Sequence, residues 1–132
     1  MDFAERPRGP LPAASGEEMK LRGDRAPRAT VIIVNWNGWH HLGPCIDSLL
    51  GSEYRDVELL VIDNASSDGS GDRVAAAYPG VRLIRNSRNV GHTRAVNQGL
   101  GIATGELVLV LDSDSECAPD AIGILVKFLD EH

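Results

Sequence analysis

The chain has 132 residues, a length for one domain with a hydrophobic core and little room for a second. Hydrophobic residues at 42% and charged residues at 24% exclude wholesale disorder, and no apolar run approaches the roughly 18 residues of a membrane span. A net charge of −6 argues against a nucleic-acid partner, because phosphate binding needs positive surface.

Residues 1–29 carry six basic and five acidic side chains and four of the seven prolines, with no apolar periodicity. Such a segment buries too little surface to offset its ordering entropy, so 1–29 is expected to be a flexible tail. It has no apolar stretch of the secretory kind. Cys45 and Cys117 form neither a disulfide framework nor a zinc spacing, which makes a reducing cytoplasm the expected location, with a membrane-peripheral placement as the alternative. The remaining segment, 30–132, carries a net charge of −7 and alternates regularly.

Val31-Ile32-Ile33-Val34 is a β-branched run, as in a strand buried on both faces. Leu42, Cys45, Ile46, Leu49 and Leu50 then follow at the spacing of one helical stripe, ended by Gly51-Ser52. Val57–Ile62 is a second apolar strand with Asp63 at its end. Asp68 or Ser70 caps a helix running to about Tyr78, stopped by Pro79-Gly80. Val81–Ile84 is a third, shorter strand, and 93–103 reads as a helix weakened by Gly99 and Gly101. Leu107–Leu111 is the fourth strand. Pro119 suits the first position of a last helix, whose apolar face is Ile122, Leu125, Val126 and Leu129.

Strands separated by helices of this length must run parallel, with right-handed crossovers. The fold class is therefore α/β, a doubly wound, mostly parallel sheet, and ligands bind such sheets at the carboxyl ends of the strands. The polar clusters stand at those ends: Asn35-Trp36-Asn37-Gly38, Asp63 through Asp68, Arg85 through Asn89, and Asp112 through Glu116.

In the last cluster, two carboxylates separated by one serine leave a buried strand. A divalent cation, magnesium or manganese, would relieve their repulsion, and a solvated turn that caps the next helix is the other reading. Asp63, Asn64, Ser66 and Ser67 offer paired donors and acceptors for a nucleobase edge, or form an Asx turn and a helix cap. Arg94, on the first turn of a helix entered through Gly91, is placed to reach a phosphate or stands in solvent. Asn97 lies on the same helix face, within reach of a strand end. The adjacent His40 and His41 point apart, so surface roles are expected of them, and neither cysteine has a histidine beside it. No Gly-x-Gly-x-x-Gly follows the first strand, and no Walker loop or Gly-x-Ser-x-Gly elbow occurs.

Four stretches occur in order: Val31 to Gly38, Val61 to Ser70, Asn89-Val-Gly91 through Asn97-Gln-Gly99, and Gly105 to Asp114. Together they resemble the N-terminal, donor-binding half of a family-2 inverting glycosyltransferase of the GT-A fold, in its rhamnosyltransferase-like branch. The resemblance covers the chain from about Thr30 and implies a Rossmann-like half of that fold. It implies a nucleotide-diphosphate sugar donor, a divalent metal (Mn2+ or Mg2+), and transfer with inversion to an acceptor that is a glycan, a lipid-linked sugar or a small molecule. The nucleotide would lie along Asn35, Asn37, Asp63, Asn64, Arg94 and Asp112, with Asp63 on the base, Asp112 on the ribose or metal, and Asp114 on the metal. Where many relatives carry an arginine beside the asparagine matching Asn97, this chain has Val96.

The family's general base lies well beyond the Asp-x-Asp motif, and Asp120, Asp130 and Glu131 read as helix residues instead. The chain is thus expected to be C-terminally truncated, with self-association through an exposed edge strand or a partner protein as its consequence. The rival reading is a non-catalytic nucleotide-sugar-binding domain acting through a partner. A nucleotidyltransferase is a third, for which Asn35 to Gly38 is the wrong loop.

Overall fold

A computed structural model describes residues 27–131. Eight elements alternate: β1 (Ala29–Asn35), α1 (Trp39–Leu50), β2 (Val57–Asp63), α2 (Ser70–Ala77), β3 (Arg82–Arg85), α3 (His92–Ile102), β4 (Leu107–Asp112) and α4 (Ala121–Glu131). The strands form one sheet in the order β3-β2-β1-β4, and every pairing is parallel. The expected doubly wound α/β architecture is therefore the observed one.

The order explains which face each helix covers. The chain steps from β1 to β2 to β3 in one direction, so right-handed crossovers place α1 and α2 on one face. The step from β3 to β4 crosses back over β1 and carries α3 to the opposite face. Alternation along the strands sorts the apolar residues to match. Val31, Ile33, Leu59 and Val61 pack with Leu42, Ile46, Leu49, Val74, Ile122 and Val126. Ile32, Leu60 and Ile62 pack on the other side with Ala95 of α3. β1 lies between two neighbours and under helices on both faces, which is why Val31, Ile32 and Ile33 of its β-branched run are fully buried.

The register brings the strand ends to a common rim: Asn35 is opposite Asp63, Val34 opposite Asp112, and Asp63 opposite Arg85. The strand order reverses between β1 and β4, so these two flank the topological switch point.

Three local expectations are corrected. The ordered domain begins before Thr30: the Tyr54 hydroxyl donates to the Pro27 carbonyl, Glu106 N–H donates to the Arg28 carbonyl at 2.9 Å, and Ala29 opens β1. The tail expectation for 1–26 lies outside the described residues. Pro119 sits in the turn before α4, which Ala121 N–H closes onto the Ala118 carbonyl at 3.0 Å, and Ala121 is the first helical residue. Finally, only Ile122 and Val126 of the expected α4 face are buried, while Leu125 and Leu129 are exposed. β4 is an edge strand, and α4 overhangs it, so one side of the helix has no sheet beneath it.

No helix among the described residues is long and apolar enough to cross a membrane.

Candidate functional site

The carboxyl ends of β1 and β2 are joined by side chains. Asn35 is fully buried, and its amide nitrogen donates to Asp63 Oδ1 at 3.1 Å and Ser66 Oγ at 3.3 Å. Ser66 Oγ donates to the same Asp63 oxygen at 2.6 Å, and Ser66 N–H reaches the other at 3.4 Å. Asp63 is thus a buried carboxylate held by an amide and a hydroxyl, and none of the ion pairs among the described residues includes it. Asn37, with φ at 50°, turns the chain away from β1, an αL position that asparagine tolerates. Its backbone N–H donates to Ser66 Oγ at 2.9 Å, and its side-chain oxygen accepts from Ser67 N–H at 2.7 Å. Between Asn35 and Asn37, the Trp36 ring is 59% exposed at the rim.

Asp68 extends the joint to the helices. It accepts from the Ser70 N–H at 2.9 Å, from the Ser70 hydroxyl, and from the Trp39 N–H at 3.1 Å. Neither Asp68 nor Ser70 is the cap residue: Gly69 occupies the N-cap position of α2 without a side-chain cap, and Asp68, one residue earlier, holds the first N–H of α2 and also serves the first residue of α1. Its slight burial works against the charge, but these hydrogen bonds prevail and hold the carboxyl below its usual range.

Asn64 is buried and faces the other way. Its oxygen accepts from Val90 N–H at 3.0 Å and from the Asn86 amide at 3.1 Å, and its nitrogen donates to the Gly91 carbonyl at 3.2 Å. It braces the loop that enters α3. The helix-to-strand bond expected of Asn97 is made instead by its neighbour: Gln98 and Asn86 exchange amide hydrogen bonds at 2.8 and 2.9 Å, while Asn97 is exposed. Arg94 is exposed on the first turn of α3, at the same rim.

At the end of β4 the chain turns tightly, with Ser115 N–H on the Asp112 carbonyl at 3.0 Å. Asp112 shares a strand face with Val108 and Val110, the side that α3 covers over β1. Asp112 and Asp114 are both exposed, and neither is committed to a hydrogen bond or ion pair with a described residue. No cluster of three or more acidic, histidine or cysteine ligands occurs among the described residues. Two free carboxylates fit a hard divalent cation that draws the rest of its shell from water or a ligand's phosphate oxygens.

His40 and His41 are exposed on α1, as expected. Burial, with the neighbouring Cys117 sulfur and the Asp114 and Glu116 charges adding to it, pushes the Cys45 thiol up to about 11, so it is an inert packing group. Asp120 precedes α4 on the rim side, whereas Asp130 and Glu131 lie at the far end of that helix, about 15 Å away at 1.5 Å per residue.

Of the six residues expected along a nucleotide, Asn37, Arg94 and Asp112 are open to solvent, while Asn35, Asp63 and Asn64 are buried and form the frame behind them. The pattern of polar residues at strand ends does not reveal Ser66 as the hub of that frame, nor Asp68 as the link to α1. A serine three residues after a strand-ending aspartate, which also suits an Asx turn, is the one trace of it in the sequence.

The geometry can be set beside known proteins. Residues 30–132 match the family model described as "Glycosyl transferase family 2". The chain is 36% identical over 108 residues to the succinoglycan biosynthesis protein ExoO of Rhizobium meliloti (strain 1021), covering 81% of this chain and 31% of that protein. Among solved structures it resembles the mannosyltransferase PcManGT from Pyrobaculum calidifontis, determined in complex with GDP-Man and Mn2+. The TM-score there is 0.73 with 27% identity, over 96% of this chain and 36% of that one. The structure of S. aureus TarS 1-349 in complex with UDP-GlcNAc shares the fold, with a TM-score of 0.73 at 24% identity over 80% of this chain and 32% of that one. The chain spans about a third of the length of the relatives it matches.

Proposed function

The chain belongs to glycosyl transferase family 2, and on that premise we propose that it holds a nucleoside-diphosphate sugar across the rim between β1 and β4, with a divalent cation at Asp112 and Asp114. The observation that carries this reading is the exposed, uncommitted carboxylate pair at the carboxyl end of β4, beside the switch point.

In this reading the nucleoside lies over the end of β1, on Trp36 and Asn37. Asp63, backed by Asn35 and Ser66, fixes the loop that carries them and reads the base when Ser66 yields its bond. Asn64 sets the entry to α3, so that the helix start and Arg94 face the diphosphate. Asp112 and Asp114 hold the cation, with Asp112 also near the ribose. Bound there, Mn2+ or Mg2+ would offset charge developing on a departing diphosphate. That the mannosyltransferase was solved with GDP-Man and Mn2+ supports this choice of ligand class.

The overall activity proposed is inverting sugar transfer, in the rhamnosyltransferase-like branch, with this segment as its donor-binding part. No general base is assigned within it.

Calorimetric titration of the chain with UDP, dTDP and GDP, each with Mn2+, tests the reading. At least one should bind, and Asp114→Ala should weaken that binding tenfold or more. Binding by none of the three, or binding unaffected by Asp114→Ala, would overturn it.

A further inference from the structure

Asn35 holds the one buried side-chain polar atom among the described residues that lacks a hydrogen-bond partner, its Oδ1. The orientation of the amide is set by Asp63, because the NH2 end must face a carboxylate and the oxygen end must then face away. It faces Gly38. A Cβ built on Gly38 would lie 2.7 Å from Asn35 Oδ1 and 3.1 Å from Ser113 Oγ. An orphan acceptor from β1 and a hydroxyl from the Asp112-Ser113-Asp114 turn therefore flank the same glycine, and Ser113 makes no other side-chain hydrogen bond with a described residue.

We propose that Ser113 and Asn35 are positioning residues, and that the Ser113 hydroxyl donates to Asn35 Oδ1 when the Asp112–Asp114 turn is occupied. Leaving a buried acceptor unpaired is unfavourable, so the frame favours whatever turn geometry brings a donor to it. Ser113 lies between the two proposed cation ligands, so a cation drawing Asp112 and Asp114 together fixes the backbone that carries the hydroxyl. The new bond would then run from Ser113 through Asn35 to Asp63 and Ser66, and so to the loop at Asn37. Cation binding at β4 and nucleoside binding at β1 become energetically linked across the switch point, with Gly38 keeping the gap between them clear. This inference rests on the donor-site reading above.

The test is the factor by which Mn2+ tightens the nucleoside diphosphate, measured by titrating the chain with UDP or GDP with and without the metal. Ser113→Ala should lower that factor about three- to tenfold, the worth of one hydrogen bond, while the unliganded melting temperature stays unchanged. Ser113→Thr, which keeps a hydroxyl, should restore it. Gly38→Ala places a methyl group between the two oxygens and should lower the factor even with Ser113 intact. A Ser113→Ala protein with the wild-type factor would overturn the inference and leave the donor site standing. A wild-type chain that binds no nucleoside diphosphate would remove both.

Discussion

Trp36 shows how one residue can be large, apolar and exposed without being a packing error. Its neighbours Asn35 and Asn37 are pinned to the β2 loop, which fixes the backbone on both sides of it and holds the ring out at the rim. A flat aromatic there suits stacking on a base. Trp36→Ala should weaken nucleoside diphosphate binding by about 1–3 kcal/mol, and the fluorescence quenching that accompanies binding should be lost with it. Trp39, partly buried beneath Arg73 at 5.4 Å, supplies the constant background signal. At this scale the sequence located the polar residues correctly at strand ends but did not sort them. Asp63 and Asn64 are adjacent and chemically similar to the exposed pair Asp112 and Asp114, yet they are buried. The difference is that β2 is flanked on both sides, whereas β4 ends at an open edge, and a strand's neighbours are a property of topology rather than of local composition.

Elements were more legible than residues, because periodicity over several residues averages out local chemistry. α3 is the instructive case. Gly99 and Gly101 lower its intrinsic helix propensity, and by sequence alone both are weaknesses. The structure gives Gly99 a packing purpose: a Cβ there would lie 2.9 Å from Ile32 Cγ2 and 3.0 Å from its Cδ1, against a side chain that is wholly buried. Helix and sheet approach through that missing methyl. Gly99→Ala should therefore destabilise the fold by about 1–2 kcal/mol in chemical denaturation, despite the better propensity of alanine, because overpacking at a rigid contact outweighs the propensity gain.

α4 presents the converse. Of its expected apolar face, Leu125 and Leu129 are exposed, and so are Ile124 and Phe128 beside them, Phe128 at 57%. Leu125 and Leu129 line an apolar groove along the edge of β4, together with Leu107, Leu109 and Ile122. A surface of this kind binds apolar dyes. Leu125→Lys together with Leu129→Lys should reduce dye fluorescence at equal protein concentration, with the circular dichroism unchanged.

For the whole molecule, the two rims of the sheet divide the work. The carboxyl-end rim carries the uncommitted groups, while the opposite rim is closed by Glu58. Its carboxylate accepts from Thr30 of β1 at 2.9 Å, from Arg82 of β3 at 3.0 Å, and from the Thr104 N–H and hydroxyl ahead of β4 at 2.9 and 3.0 Å. One side chain on β2 thus ties β1, β3 and the loop that leads into β4 at the amino ends of the strands. Burial alone would raise its pKa, but the bonds from Thr104, Arg82 and Thr30 outweigh that and hold the carboxyl below its usual 4.5. The unfolded chain therefore binds this proton more readily than the folded one. Stability from Glu58 is fully present above the ordinary glutamate range and is lost as the pH falls through the lowered folded value. Glu58→Gln keeps the shape, removes the charge and leaves donors facing an amide. It should cost about 1–3 kcal/mol at neutral pH and flatten the acid limb of the stability curve, measured by urea denaturation at a series of pH values. An acid limb as steep as that of the wild type would assign the pH dependence to other carboxylates. Nucleoside diphosphate affinity per folded molecule should not change, because Glu58 stands at the end of the sheet away from the site.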